Sequence, residues 1–337
     1  MANKGFKIGV DLGTANTLVY LNGQGVIFNE PSCVAFDRRS NKCIAVGQKA
    51  KDMLGREHSL IRIVKPLEGG VVSDLDATKA LLMYVFEKLA DINIEFDKTT
   101  MLFCVPSEVT QIERIALLEL AEKLGVKDTF IEEEVKAGAI GAGIDIFAPR
   151  GSYVIDIGGG TTDIGVMALG DLVVSESVRI AGNYFDQQIT KYVKMKYSMA
   201  IGSRTAEHIK ITLGTLRRNL IEDKEVTYSG RNIVTGLPQK KTIKQSEVRD
   251  LILRAFDSIV ITAKKVLEKT PPELASDIFE DGVLINGGGA LIDGIQEFFE
   301  EQLNLKVRVS DNALTAIVDG TKYLLKNRGN YLIKPVD

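Results

Sequence analysis

The sequence predicts an α/β protein built from two related lobes. Two observations support this prediction. Strand-like segments occur at glycine-rich motifs with helical segments between them, and one of these motifs occurs twice. The copies centre on Asp11 and Asp156, which lie 145 positions apart (156 minus 11), about the length of one domain. A chain of 337 residues is long enough for two domains with substantial cores.

The motif around Asp156 runs from Val154 to Asp163 and predicts a strand, a tight turn and a second strand. Three glycines form its turn: Gly158, Gly159 and Gly160. Glycines permit positive φ and leave backbone amides uncovered. These amides and the Thr161 hydroxyl are suited to phosphate oxygens, and Asp156 is suited to a hydrated cation. For one such stretch alone, a plain hairpin turn is the alternative.

The first copy runs from Ile8 to Thr17 and again leads apolar residues into an aspartate, a glycine and a turn. Each copy is followed by a further turn and a further apolar strand, at Val26 to Phe28 and at Leu172 to Val174. Two glycine turns that face each other would hold a polyphosphate from both sides. The pair therefore favours a phosphate site over two plain hairpins.

Composition excludes several classes of function. Hydrophobic content of 45% and charged content of 26% are ordinary for a soluble globular protein, and a net charge of −3 gives no general attraction to nucleic acid. The three cysteines, Cys33, Cys43 and Cys104, lack metal-ligand spacing, and with no secretory leader before Ile8 they are expected in a reducing cytosol. With two histidines, catalysis is expected to depend on carboxylates, hydroxyls, backbone dipoles and a bound metal ion.

The rest of the first lobe alternates strands and helices. A helical pattern begins at Asp76, and its apolar face is Leu81, Leu82, Val85, Phe86 and Leu89. Met101 to Val105 is a buried-strand candidate that ends at Pro106. The segment from Val135 to Gly143 is rich in alanine and glycine, which predicts a helix packed tightly on another backbone.

The second lobe begins at about Gly151. Its predicted helices are Phe185 to Lys196, Arg204 to Leu213 and Glu247 to Glu268. Residues 225–244 are interpreted as hairpins that turn at Ser229-Gly230 and at Gly236-Leu237-Pro238, with lysines on a solvated edge. No aromatic platform accompanies these lysines, so nucleic acid is not expected as a partner.

A third glycine run follows a strand: Gly287, Gly288 and Gly289. A strand, a glycine turn and a helix start bring the backbone close to a flat or anionic group. The chain has no G-x-x-x-x-G-K-[ST] motif and no G-x-G-x-x-G after a strand, so neither a P-loop protein nor a dinucleotide-binding domain is expected.

These motifs together resemble the actin and sugar-kinase superfamily, and most closely bacterial actin, the MreB family. IGVDLGTANTLVY and DIGGGTTD resemble the two phosphate motifs, IEEEVKAGAIGAG the connecting segment, and LINGGGALIDGI the adenosine motif. NEPS at Asn29, RTAEHIK at Arg204 and ALTAIVDG at Ala313 are also similar, so the resemblance runs almost end to end.

The resemblance implies an actin-like, two-lobed α/β fold with duplicated lobes, a nucleotide cleft between them and four subdomains. The first lobe would comprise residues 1–143 and about 313–337, with subdomain IB at about 31–75. The second lobe would comprise residues 144–312, with subdomain IIB at about 182–246.

The resemblance also assigns residues to ATP or ADP and Mg²⁺. Asp11 and Asp156 would hold Mg²⁺ through water. The phosphates would be lined by Gly13, Thr14, Ala15, Asn16, Gly158, Gly159, Gly160, Thr161 and Gly182. Glu207 and Lys210 match the ribose and adenine contacts, and Gly287, Gly288 and Gly289 would back the adenosine. For Asp11 and Asp156 the alternative is turn capping, and for Glu207 with Lys210 it is an exposed ion pair.

Glu134 matches the glutamate that positions the attacking water, and Thr161 matches its hydroxyl helper. From the residues alone, Glu134 is equally compatible with a solvated acidic run beside Glu132 and Glu133. The chain departs from the usual family pattern at Val135, Lys136, Gly138, Asp163 and Ala181-Gly182-Asn183-Tyr184.

The function implied is that of an MreB-like cytoskeletal ATPase whose filaments lie at the inner face of the cell membrane and contribute to cell shape, with hydrolysis timing their turnover. Its partners would be copies of itself, paralogous filament proteins and the membrane, contacted through Ile92, Ile94 and Phe96 or through the tail from Lys326 to Lys334. For the three apolar side chains of the loop, a place in the protein core is an equal alternative. The protein would be cytoplasmic and peripheral at the membrane. The alternative is a superfamily ATPase that does not polymerise, such as a small-molecule kinase or a chaperone-type ATPase.

Overall fold

The first aspartate–glycine motif begins a five-stranded sheet. The structure is a computed structural model that describes residues 5–107 and 109–326. Its first strands and helices are β1 (Lys7–Leu12), β2 (Asn16–Leu21), β3 (Gly25–Pro31), β4 (Val34–Asp37), β5 (Cys43–Val46), α1 (Gln48–Met53), β6 (Ile61–Val64), β7 (Leu67–Glu68), β8 (Val71–Val72), α2 (Leu75–Asp91), β9 (Thr100–Val105), α3 (Gln111–Lys123), β10 (Asp128–Glu133) and α4 (Glu134–Gly141). The sheet has the order β10-β9-β1-β2-β3.

The central strands of this sheet, β1, β2 and β9, are almost completely buried, as their continuous apolar runs predict. Helix α2 packs on the sheet through the predicted apolar face, which includes Leu81 and Val85. Its first turn is capped by Asp74, whose side chain accepts a hydrogen bond from the Ala77 amide. Strand β1 is antiparallel to β2 and parallel to β9, which in turn is parallel to β10.

The second motif begins an equivalent sheet. The elements that follow are β11 (Ser152–Ile157), β12 (Thr162–Ala168), β13 (Asp171–Val178), α5 (Gly182–Tyr197), β14 (Met199–Ala200), α6 (Ser203–Leu213), β15 (Glu225–Asn232), β16 (Pro238–Lys244), α7 (Gln245–Lys269), α8 (Pro272–Asp281), β17 (Val283–Asn286), α9 (Ile295–Leu303), β18 (Val307–Val309) and α10 (Ala316–Lys326). The sheet has the order β13-β12-β11-β17-β18. In each sheet, three strands that are consecutive along the chain lie side by side: β1-β2-β3 in one and β11-β12-β13 in the other. The first of these three is adjoined on its other side by two parallel strands, β9-β10 or β17-β18, so the predicted duplication is confirmed.

The chain divides into two units. The first comprises Met1–Arg150, Met167–Val173 and Ser310–Asp337, and the second Gly151–Val166 and Val174–Val309. The loop 144–150 belongs to the first of these units, and the lobe boundaries at residues 143 and 312 remain predictions. The turn between β12 and β13 also belongs to the first unit, because Gly170 and Leu169 donate backbone hydrogen bonds to Ile146 and Ala148.

Two smaller sheets accompany the large ones. Strands β5-β4-β6 form one and β14-β15-β16 form the other. They lie in the segments to which subdomains IB and IIB were assigned, whose boundaries remain predictions. The predicted turn at Ser229-Gly230 is wrong, since both residues lie inside β15 and the hairpin turns between Asn232 and Pro238. Ser229 pairs with Lys240, and this cross-strand register overrides the local turn signal.

The apolar loop proposed as a membrane contact is mostly core. Ile94 is 7% exposed and belongs to the core of the first unit, and the Phe96 ring packs against Phe86 at a centroid distance of 5.0 Å. Only Ile92 of the three is exposed, at 42%. The prediction that all three face a membrane is therefore wrong for Ile94, which is buried beside α2, whereas Phe96 is partly buried there. The other proposed membrane element, the C-terminal tail, lies outside the described residues apart from Lys326.

Within residues 5–107 and 109–326, no helix has both the length and the apolar character needed to cross a membrane.

Candidate functional site

The first glycine turn joins β1 to β2 and is held closed by a serine. Ser32 Oγ donates to the Gly13 carbonyl at 2.6 Å, and the Ser32 amide donates to the Ala15 carbonyl at 3.0 Å. A Cβ atom on Gly13 would lie 2.7 Å from the Asn16 carbonyl, so the turn requires glycine there. Ser32 belongs to the NEPS segment, but reasoning from the sequence did not assign it a role.

Asp11 lies at the end of β1, 6% exposed, in a row of polar residues that crosses the sheet. Cys104 on β9 is its in-register partner, and Glu132 on β10 is the partner of Cys104. Residues paired in register on adjacent parallel strands point to the same face of a sheet. The carboxyl ends of these strands therefore present Asp11, Cys104 and Glu132 side by side.

The Cys104 thiol lies among carboxylates. Burial is the main cause that raises the pKa of this thiol well above its ordinary value. The negative charges of three carboxylates raise it further: Asp11, Glu132 and Glu134. Cys104 is thus a neutral, fully buried residue at physiological pH. Asp11 and Glu134 both raise its pKa, so both carboxylates belong to the surroundings of this thiol.

Glu134 is the first residue of α4, and its Oε1 atom is buried. Its two acidic neighbours are engaged elsewhere. Glu133 lies 3.7 Å from Arg114, and Glu132 lies 3.1 Å from the buried Lys136 ammonium. The three glutamates therefore do not form one solvated run, and Glu134 has a buried carboxylate oxygen.

Helix α4 is fixed by close packing against α10. A Cβ atom on Gly141 would lie 1.7 Å from the Ala316 carbonyl, and one on Gly320 would lie 1.9 Å from the Ala137 carbonyl. The two helix backbones thus touch, which confirms the prediction made from the alanine and glycine content of α4. This contact fixes the position of α4, whose first residue is Glu134.

The second glycine turn joins β11 to β12 and is closed by its own backbone. The Gly158 amide donates to the Thr161 carbonyl at 2.9 Å, and the Thr161 hydroxyl donates to Asp163 at 2.8 Å. The first residues of α5 lie on this turn, because the amides of Gly182 and Asn183 donate to its carbonyls at 3.1 Å and 2.8 Å. Gly182 therefore touches the turn, and its amide is occupied by Gly158.

Asp156 occupies the position on β11 that Asp11 occupies on β1, and it is 4% exposed. Its in-register partner on β17 is Asn286, whose side-chain amide donates to Asp156 Oδ2 at 2.9 Å. Burial, and then the charge of Asp163, raise the pKa of Asp156 to about 7, while the Asn286 hydrogen bond lowers it.

The third glycine run packs on the end of β11. Gly287 has φ of 81°, and a Cβ atom there would lie 2.5 Å from the Ile157 carbonyl. A Cβ atom on Gly289 would lie 2.2 Å from the Ile157 side chain. Gly287 and Gly289 therefore bring the start of the following 3₁₀ turn directly against the end of β11, where the second glycine turn begins.

Glu207 and Lys210 lie one helical turn apart on α6, as predicted. The Lys210 ammonium is 2.9 Å from Asp186 Oδ1 and donates to the Gly182 carbonyl at 3.1 Å. Lys210 is therefore held at the start of α5, which lies on the second glycine turn.

Asp11 and Asp156 each offer a buried carboxylate, and carboxylate oxygens are the ligands that Mg²⁺ prefers, so each residue fits the cation that the sequence predicts. Burial raises the pKa of Asp156, and a cation beside this carboxylate would act in the opposite direction and stabilise its ionised form. Across residues 5–107 and 109–326, no group of three or more His, Cys, Asp or Glu side chains is placed to hold a metal ion directly.

Comparison with known proteins gives consistent matches over nearly the whole chain. The model of the MreB/Mbl protein family matches residues 5–332. The cell shape-determining protein Mbl of Bacillus subtilis (strain 168) is 44% identical over 320 residues, which are 95% of this chain and 96% of that protein. The cell shape-determining protein MreB of Escherichia coli (strain K12) is 39% identical over 317 residues, which are 93% and 91%.

Solved structures confirm the predicted actin-like fold. MreB5 of Spiroplasma citri bound to AMPPNP has a TM-score of 0.92 at 42% identity, with 97% of this chain and 98% of that chain covered. A MamK double helical filament has a TM-score of 0.79 at 22% identity, with 95% and 98% covered, and at that identity it supports the fold alone. The family model and both relatives cover more than nine tenths of the chain. This chain therefore belongs to the MreB/Mbl family.

Proposed function

We propose that this chain is a cytoskeletal ATPase that binds Mg-ATP through its two aspartate–glycine turns and polymerises into filaments. The observation that carries the proposal is the duplicated arrangement itself. Asp11 and Asp156 lie near the ends of equivalent buried strands, and each is followed by a tight turn that contains glycine and threonine. A structure of MreB5 from Spiroplasma citri at 42% identity is bound to AMPPNP, and another is bound to ADP, which supports a nucleotide as the ligand.

In this proposal the turn amides bind the phosphates. Amides aimed at phosphate oxygens neutralise charge without the cost of reorganising solvent during the reaction. The nine residues that would line the phosphates are Gly13, Thr14, Ala15, Asn16, Gly158, Gly159, Gly160, Thr161 and Gly182. Gly287, Gly288 and Gly289 would back the adenosine, with Glu207 and Lys210 at its ribose and base.

Asp11 and Asp156 would hold Mg²⁺ through its water ligands, and the ion would neutralise phosphate charge when bound. Glu134 would orient a water molecule for in-line attack and accept its proton, and its buried carboxylate oxygen at the start of α4 supports this role. The Thr161 hydroxyl, oriented by its hydrogen bond to Asp163, would assist.

The proposed output is a filament at the inner face of the cell membrane that contributes to cell shape, with hydrolysis timing its turnover. The curated relatives are cell shape-determining proteins, and the distantly similar MamK chain forms a double helical filament. A head-to-tail contact that does not close produces such a polymer. Paralogous filament proteins are further candidate partners, and Ile92 is the exposed apolar residue of the proposed membrane loop.

The test is electron microscopy with sedimentation of the purified protein in Mg²⁺ with ATP, with AMPPNP and without nucleotide. We expect ordered filaments with nucleotide and phosphate release with ATP. Asp156→Asn should weaken both, whereas a control such as Lys194→Met, at an exposed position on α5, should not. Discrete particles at every concentration and salt would contradict the filament, and the absence of phosphate release would contradict the ATPase.

A further inference from the structure

Lys210 joins α6 to the start of α5 in the second unit. Its ammonium forms an ion pair with Asp186 at 2.9 Å and donates to the Gly182 carbonyl at 3.1 Å. Both partners belong to the first turns of α5, four residues apart, whereas Lys210 lies on α6. The side chains of Lys210 and Asp186 are 16% and 14% exposed, so the pair is largely withdrawn from water.

The first turn of α5 is in turn bound to the second phosphate turn. The Gly182 amide donates to Gly158, and the Asn183 amide donates to Gly159. A Cβ atom on Gly182 would lie 3.5 Å from both the Gly158 carbonyl and the Lys210 ammonium. The ammonium, the start of α5 and the phosphate turn therefore form one continuous contact.

Electrostatics explains why this contact needs Asp186. The N-terminus of a helix carries partial positive charge, which disfavours an ammonium placed against it. The first turn of α5 contains no acidic residue, and its N-cap position Ala181 makes no side-chain cap. Asp186, one turn further on, is the carboxylate that offsets the ammonium. Removing one partner of such a withdrawn pair leaves the other charge uncompensated.

We propose that Asp186 and Lys210 form a brace that positions the second phosphate turn through α5, with Asp186 as a positioning residue. This inference rests on the proposed nucleotide site and adds a role to it. Lys210 then governs affinity for the phosphate chain as well as for the nucleoside. A lysine that contacted only ribose and base would leave binding of a bare polyphosphate unchanged.

The experiment compares the binding of Mg-ATP and of Mg²⁺ with inorganic tripolyphosphate by calorimetry. The variants are Asp186→Asn, Lys210→Met and their double mutant. The brace predicts that each single variant binds both ligands at least about tenfold more weakly, a loss equivalent to ~1.4 kcal/mol of binding free energy. The double mutant should lose no more affinity than the single variant that binds less tightly, because both substitutions remove the same interaction.

Three further variants separate the brace from a general structural effect. Glu207→Gln should weaken ATP but not tripolyphosphate, and Lys194→Met on the exposed face of α5 should change neither. Asp186→Glu keeps the carboxylate and should restore part of the affinity lost in Asp186→Asn. If Asp186→Asn fails to fold, the contrast between Asp186→Glu and Lys210→Met carries the same test.

Two outcomes would overturn the inference in different ways. If the wild-type protein binds both ligands and Asp186→Asn binds tripolyphosphate as the wild type does, the brace is refuted and the nucleotide site stands. Additive losses in the double mutant would refute it equally. If the wild-type protein binds neither ligand, the proposed nucleotide site fails, and the brace fails with it.

Discussion

Asn286 donates a 2.9 Å hydrogen bond to Asp156 from the position that Cys104 occupies beside Asp11 in the first sheet. The two units thus repeat the aspartate but not its neighbour. Asn286 stabilises the ionised form of Asp156, whereas Cys104 is a neutral thiol that adds no comparable donor. The two proposed magnesium residues therefore differ in their electrostatic surroundings, although they occupy equivalent positions.

The pKa of Asp156 predicts a pH dependence. Its folded pKa of about 7 lies above the ordinary value of 3.8, so the native state holds a proton that the unfolded state releases. The contribution of Asp156 to the free energy of unfolding is therefore fully present below about pH 4 and is lost as the pH rises through 7. Because Mg²⁺ requires the ionised carboxylate, Mg-ATP affinity should rise over the same interval.

Thermal unfolding and nucleotide titration between pH 5 and 8, at roughly half-unit steps, measure both effects. Asp156→Asn carries no titrating proton and should flatten both profiles. Profiles in the variant that match those of the wild type would assign the pH dependence to another group.

Glu134→Ala is expected to separate nucleotide binding from hydrolysis. Backbone amides and the metal would still hold ATP, so affinity should change little, while turnover should fall by roughly 10²-fold or more, the usual scale for a positioned general base. Filaments should form and last longer. Phosphate release and affinity are measured on the same preparation.

The matched control for this variant is Glu133→Ala, which removes a neighbouring carboxylate that pairs with Arg114. It should leave turnover near that of the wild type. Thr161→Ala should reduce turnover with more loss of binding, because this residue lies in the phosphate turn. Near-normal turnover in Glu134→Ala would show that another group positions the water.

The contact between α4 and α10 predicts that Gly141→Ala destabilises the protein. The added Cβ would lie 1.7 Å from the Ala316 carbonyl, so the helices must separate. Overpacking of this kind typically costs about 1–3 kcal/mol. The control is Gly202→Ala, since a Cβ there meets nothing within 4 Å. Equal denaturation midpoints for the two variants would contradict the proposed helix contact.

The loop after α2 predicts different outcomes for two isoleucines. Ile94→Ser should lower the free energy of unfolding by roughly 2–5 kcal/mol, because it removes a core side chain. Ile92→Ser alters an exposed position and should leave stability nearly unchanged. Liposome co-sedimentation of the folded Ile92→Ser protein tests the membrane contact. Binding equal to that of the wild type would exclude Ile92 as its anchor.

The amino-acid sequence by itself determined the repeated architecture and the glycine turns around which the candidate site is built. Glycines next to an aspartate at the end of an apolar run predict a tight turn after a strand, and this local pattern can be recognised without knowledge of the rest of the chain. The apolar face of α2 and the close packing of α4 follow from periodicity and residue size in the same way.

The tertiary structure decided which residues surround those motifs. Ser32, Cys104, Asp186 and Asn286 lie next to site residues through strand register or helix packing, and no local pattern carries that register. The same reason explains the errors at Ser229-Gly230, which pairs within a strand, and at Ile94, which is buried although charged residues flank it. Local sequence specifies the backbone that a segment can adopt, whereas partners and burial depend on segments that are distant along the chain.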